Sequence, residues 1–185
     1  MTSETVTLIA ALIAAISSII TLWLNVRSQY SSETRIAQRA VLENFIVELG
    51  EAIHETTATS KILLKTKTEE AAKNWRDRSI VAKEKLQSLI PKLRYPLWGI
   101  TDNLRTFSRL PDWVEHTRKF SESNHGEKIC DEGAKLGDVI EICIKNSYIS
   151  GRVPTRFEIL RIQYQTWKFK RAYKKFKDEN PKQVD

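Results

Sequence analysis

The sequence predicts an all-α protein: an N-terminal transmembrane helix followed by a cytoplasmic bundle of five or six helices. Three observations carry this. Residues 5–26 hold no charged side chain, and about 20 apolar residues at ~1.5 Å each span the ~30 Å hydrocarbon core of a bilayer. Beyond that run, apolar residues recur at intervals of three and four, and no stretch alternates with period two long enough for a strand. Only 6 Gly and 5 Pro occur among 185 residues, too few turn formers for a loop-rich β fold.

Composition narrows the class further. With 29% charged and 41% hydrophobic residues the chain is neither disordered nor polytopic. Two Cys cannot build a disulfide scaffold or a four-thiolate zinc site. The predicted layout is a membrane helix with its flanks over 1–30, a helical body over 31–177 and a polar tail over 178–185.

The first element contains nine Ile and Leu residues, each favouring insertion by roughly 0.3–0.6 kcal/mol at the helix centre, which outweighs the small cost of Ser and Thr. A cleaved secretory signal fits poorly, since Glu4 stands where a basic n-region belongs and no small-x-small site follows the run. Arg27, Arg35 and Arg39 flank the C-terminal end and no basic residue flanks the other. The positive-inside rule therefore puts the N-terminus outside and the body in the cytoplasm. Trp23 and Tyr30 mark that boundary. Around the helix, Ala10, Ala11, Ala14, Ala15, Ser17, Ser18, Thr21 and Asn25 share one arc, while Leu8, Ile9, Leu12, Ile13, Ile16, Ile19, Ile20, Trp23 and Leu24 share the other. Small and hydroxyl-bearing faces are what packed membrane helices present to each other. The pattern predicts self-association, with a narrow water-filled pore as a special case.

At 31–33 the membrane helix either continues or yields to a new one. Ile36, Ala37, Ala40, Val41, Phe45, Leu49, Ala52 and Ile53 form an inward stripe, weakened by a polar patch at 56–60. Thr68 with Glu69 and Glu70 predicts a helix start, and Ala72, Trp75, Ser79, Ala82, Leu86, Leu89 and Ile90 carry that helix to Pro91. A third helix is expected over 92–109, kinked or begun by Pro96, with Leu97, Ile100, Leu104 and Phe107 inward. Pro111 suits the first turn of a short helix through Trp113, Val114 and Phe120. After a loop at 121–126, a helix over 127–148 turns Ile129, Leu136, Val139, Ile140 and Cys143 inward and ends before Gly151. Pro154 and Thr155 open a last helix that runs to about Lys177.

Few residues point to chemistry. His54 and Glu55 begin a His-Glu-x-x-His zinc motif, but the second His is missing, and no metal or cofactor is implied. Cys130 and Cys143, 13 positions apart on one helix, lie ~20 Å apart, too far to bridge. They read as core thiols, and Gly133 and Gly137 as packing positions. The last helix is the basic part of the chain. Nine basic residues and one acid lie in 152–177, a net +8 of the chain's +7, leaving −1 elsewhere. Arg161, Lys168, Lys170, Arg171, Lys174, Lys175 and Lys177 interleave with Tyr164, Trp167, Phe169, Tyr173 and Phe176. That composition suits phosphate neutralisation with base stacking on RNA, or an anionic leaflet, or plain docking of the aromatics into the body.

Arg109, six residues and then His116 resemble the signature of HEPN-type helical bundles; Arg118 and His125 repeat the spacing. In that family such a pair lies across a dimer interface, polarises an RNA 2′-hydroxyl and stabilises charge at phosphorus, which makes a membrane-tethered ribonuclease one reading. The whole layout, with its span at 5–26, helices from about Ser31 and Arg109 with His116 as a remnant, resembles the small membrane accessory proteins of type VI-B CRISPR systems. The resemblance implies a homo-oligomeric pore in the bacterial inner membrane that depolarises it when an RNA-guided ribonuclease is active. The alternative is a membrane-anchored scaffold that recruits RNA or a protein partner through the basic helix.

Overall fold

The longest element runs straight through the expected boundary at residue 30. The computed structural model describes residues 3–93, 99–120 and 124–180, with the backbone alone for 3–12, Asn44 and Phe120. Helix α1 (Ser3–Lys65) is one unbroken helix of 63 residues, roughly 95 Å long. The Ser and Thr residues near 31 do not cap a new start, because Thr34 Oγ1 donates back to Tyr30 O within the helix (2.8 Å).

Helices α2 (Glu69–Leu89), α3 (Thr101–Phe107), α4 (Leu110–Phe120), α5 (Asn124–Ser150) and α6 (Arg156–Glu179) complete an all-helical body, with no strand among the described residues. The expected third helix over 92–109 is replaced by a 3-10 turn at Pro91–Leu93 and the seven-residue α3; Pro96 and Leu97 lie outside the described residues. α5 begins at Asn124, inside the expected loop, and buries Gly126, where a Cβ would collide with Leu64 of α1.

The C-terminal half of α1 packs on α2, α4 and α5, and α5 packs on α6. Leu42, Leu49 and Ile53 of α1 meet Leu86, Phe107, Leu136, Ile140, Phe169 and Phe176 in one continuous core. Each fully buried side chain of this size contributes about 1.5–3 kcal/mol. The stripe starts at Leu42, later than the sequence implied: Ile36 and Val41 are exposed. Within the polar patch at 56–60, Thr56, Thr59 and Ser60 are buried. Thr56 and Ser60 donate their hydroxyls to the carbonyls of Ala52 and Thr56 (both 2.7 Å), so they enter the core with their donors satisfied.

The N-terminal half of α1 behaves differently. From Ile13 to Tyr30 every described side chain is exposed. Among the described residues no helix is long and apolar enough to cross a membrane, so the transmembrane helix expected over 1–30 gains no support there. The side chains of 5–12, the first part of that run, lie outside the described residues.

Candidate functional site

Helix α6 owes its start to a capping box. Thr155 Oγ1 accepts from Glu158 N, and Glu158 Oε2 accepts from Thr155 N at 2.7 Å. Burial alone would raise the Glu158 carboxyl, but hydrogen bonds from the Thr155 backbone and side chain outweigh it and hold it below the usual range. From there the helix sorts its aromatics onto two faces. Phe169 and Phe176 are buried, and the Tyr173 ring stacks on Trp113 of α4 with centroids 4.3 Å apart and planes 1° from parallel. Burial, then the nearby Asp112 charge, push the Tyr173 phenol up. Thus three of the five interleaved aromatics serve the core.

Tyr164 and Trp167 face out, 57% and 51% exposed. Their rings lie 6.1 Å apart and 21° from parallel. Lys168 Nζ sits 4.9 Å from the Tyr164 ring and the Arg171 guanidinium 5.1 Å from the Trp167 ring, an attraction of about 0.5–1 kcal/mol each at exposed sites. Two hollows flank this ladder. One, of about 580 Å³, is lined by Trp167, Lys170, Arg171, Lys174, Lys175 and Asp178. The other, of about 650 Å³, lies between α5 and α6 against Lys128, Glu132, Tyr164 and Lys168. Glu132 is occupied by Gln165 Nε2 (2.7 Å) and Lys135 Nζ (3.1 Å). Burial opposes its ionisation, yet these hydrogen bonds keep its carboxyl below the usual range. Arg161, Lys170, Lys174 and Lys177 are exposed and form no ion pair with a described carboxylate. Of the basic residues named from sequence, Lys168, Lys170, Arg171, Lys174 and Lys175 therefore line open surface beside Tyr164 and Trp167, which offers cations beside flat π faces.

Arg109 and His116 are placed otherwise. Arg109 is exposed at the start of α4, where its carbonyl accepts from Trp113 N (3.1 Å). His116, two turns on, is half-buried, with Nδ1 2.8 Å from Tyr173 Oη and its ring edge-on to Phe176. The repeat of that spacing is likewise absorbed by structure: Arg118 bonds Glu69 (2.7 Å) and His125 Nε2 meets Glu179 (2.7 Å). Hydrogen bonding to Arg118 leads the causes that lower Glu69. Cys130 and Cys143 are buried and free, and burial pushes both thiols up to about 12. No group of three or more metal-ligating side chains occurs among the described residues.

On α1, Ala14, Ser17, Ser18, Thr21 and Asn25 are exposed; the Ala10 side chain lies outside the described residues. Ser18 Oγ donates to Ala14 O (2.9 Å) and Thr21 Oγ1 to Ser17 O (2.8 Å). With those protons bound internally, the face is less polar than its composition implies.

One surface escaped the sequence reading. Phe157, Leu160, Tyr164 and Trp167 follow each other at three and four along α6, opposite the buried face, and all are exposed. A helical wheel of α6 carries that signal, masked by the denser inward stripe. No family model, curated protein or solved structure matches the chain.

Proposed function

We propose that the chain is a single-span membrane effector working as an assembly of copies, of the small bacterial antiphage type that its layout resembles. The observation that carries this reading is the split character of α1. One half is locked into the bundle core, while the other stands unpartnered with Ile13, Ile16, Ile19, Ile20 and Leu24 open on one arc and small residues on the other. An uncharged helix of that kind calls for lipid on its broad arc and a second helix on its slim arc. Residues 5–12 continue the uncharged run by sequence. Helix packing suits the slim arc better than pore lining, since the Ser18 and Thr21 hydroxyl protons are already bound to the backbone.

The test is extraction and mass. The full chain should stay with membranes through alkaline washing and run in detergent as a multimer, and Ser17→Leu with Ser18→Leu and Thr21→Leu should reduce it to single copies. Expression should leak dye from cells if the assembly conducts. A chain soluble without surfactant, or a lone copy in micelles, overturns the reading.

A second reading, an anchored scaffold that binds single-stranded RNA, is favoured by the outward Tyr164 and Trp167 ladder with its cations. Trp167→Ala should weaken binding of a single-stranded oligonucleotide about 5- to 150-fold. Lys170→Gln, Lys174→Gln, Lys175→Gln and Lys177→Gln together should flatten its salt slope by about 3. Unchanged affinity in both variants removes this reading.

A further inference from the structure

We infer that the turn between α5 and α6 is a second membrane contact, which docks on an anionic lipid leaflet beside the point where α1 leaves the bundle. The inference rests on the reading of α1 as the membrane segment. The turn touches α1 at one place. α5 ends in a Schellman motif, with Arg152 N donating to Ser147 O (3.2 Å) and Gly151 N to Tyr148 O (3.3 Å). Gly151 adopts φ +61°, and a Cβ there would lie 2.7 Å from Arg35 O, so backbone meets backbone. Arg39 reaches back and donates to Ile149 O. The turn thus forms a collar on α1 nine residues beyond Val26, about 14 Å along the axis, a distance that helix tilt shortens.

Its outer surface has the two properties a headgroup region selects. Ile149, Val153, Phe157 and Leu160 are all exposed, Phe157 at 85%. Arg35, Arg39, Arg152, Arg156 and Arg161 surround them, also exposed. Against these five cations the segments 31–39 and 149–161 carry two acids. Glu158 stays ionised in its capping box and acts on Arg152, so both acids count and the rim keeps three net positive charges, five Arg less Glu33 and Glu158. Apolar side chains within a basic rim fit the acyl boundary of an anionic leaflet, and a second signal of this kind adds to a single anchor. The net positive charge disfavours the same face of another copy.

A dye on the turn of the full chain tests this. Val153→Cys takes an environment-sensitive maleimide, while Cys130 and Cys143 are shielded by burial. Ile16→Cys in a parallel sample reports on α1. In phosphatidylcholine vesicles containing phosphatidylglycerol the Val153 dye should shift to the blue, and less so in phosphatidylcholine alone. Arg152→Gln with Arg156→Gln should lower the docked-to-undocked ratio about 30-fold, near fivefold per arginine. If the Ile16 dye lies in lipid and the Val153 dye stays in water, this inference fails and the anchor stands. An Ile16 dye in water overturns the anchor first. A blue shift that ignores lipid charge and grows with the protein-to-lipid ratio assigns the face to a second copy and overturns the inference.

Discussion

Two glycines on this chain should respond to the same substitution with opposite signs. Gly151→Ala places a side chain in left-handed backbone, at φ +61°, which costs about 1–2 kcal/mol. The new Cβ also meets Arg35 O at 2.7 Å and Arg35 Cβ at 2.8 Å. Those atoms belong to a helix backbone that cannot swing aside, so overpacking adds about 1–3 kcal/mol. The entropy removed from the unfolded chain returns about 0.4–1 kcal/mol. The net loss is about 1–4.5 kcal/mol, or a fall in Tm on the order of 2–18 °C at this chain size. Gly50 sits within α1, and its added Cβ would find only Glu141 Oε1, at 3.9 Å. Gly50→Ala should therefore gain most of the helix propensity difference, about 0.5–1 kcal/mol, and raise Tm by about 2–3 °C. Near-ultraviolet circular dichroism of the full chain in mild detergent follows bundle melting through the Trp113 and Tyr173 stack. If both variants move Tm in the same direction, or Gly151→Ala leaves it unchanged, the collar geometry is wrong.

Three further outcomes follow from the core and the caps. Thr166 Oγ1 donates to Asn103 Oδ1 across α3 and α6 at 2.8 Å in a buried setting, so Thr166→Val should cost about 1–3 kcal/mol by leaving the acceptor unpaired, read by urea titration, while Thr166→Ser should keep most of the bond. Capping-box hydrogen bonds hold the folded pKa of Glu158 below the ordinary carboxylate range, so its stabilisation is full above the unfolded pKa and fades as pH falls through the folded one; the Tm gap between the parent and Glu158→Gln should be constant near neutrality and close in acid. Cys130 and Cys143, with thiols pushed to about 12 by burial, should resist a thiol reagent at pH 7 and react together in denaturant, and rapid labelling of the folded chain would contradict their burial.

Inward faces were legible because burial imposes helical periodicity. Ala72, Ser79, Ala82 and Leu86 on α2, and Ile129, Leu136, Ile140 and Cys143 on α5, are all buried as the spacing required. The misses have local causes. Hydropathy underrates the polar patch at 56–60 because it scores the hydroxyl and ignores its bond to the helix's own carbonyl. The apolar spacing predicts one helix over 92–109, whereas the described backbone forms a 3-10 turn at Pro91–Leu93 and an α-helix only over Thr101–Phe107, because a period of three and four does not report the turns between short helices. Ile36 and Val41 fit the inward spacing but are exposed, since the body meets this part of α1 at Arg35, Arg39 and Leu42, and periodicity says which face is apolar without saying what covers it.

The candidate site divides along the same line. The basic residues of α6 were visible as charge, yet charge alone could not divide the aromatics. Packing does: Phe169 and Phe176 are required by the core and Tyr173 by Trp113, which leaves Tyr164 and Trp167 beside the cations and Phe157 with Leu160 nearer the α1 collar. One helix therefore carries an apolar outer end and a basic outer end on a shared inner face. A helix serving only the bundle has no need of the outer stripe, and exposing Phe157 to water leaves unrealised about 1.5–3 kcal/mol that burial would supply. The apolar end faces the side where α1 leaves the body and the basic end lies further along the helix, so one rigid element can rest on a leaflet at its start and meet a polyanion at its end. On the proposed membrane reading, a bilayer at the apolar end would fix the orientation of the cation and aromatic ladder and hold any polyanion bound there at a set height.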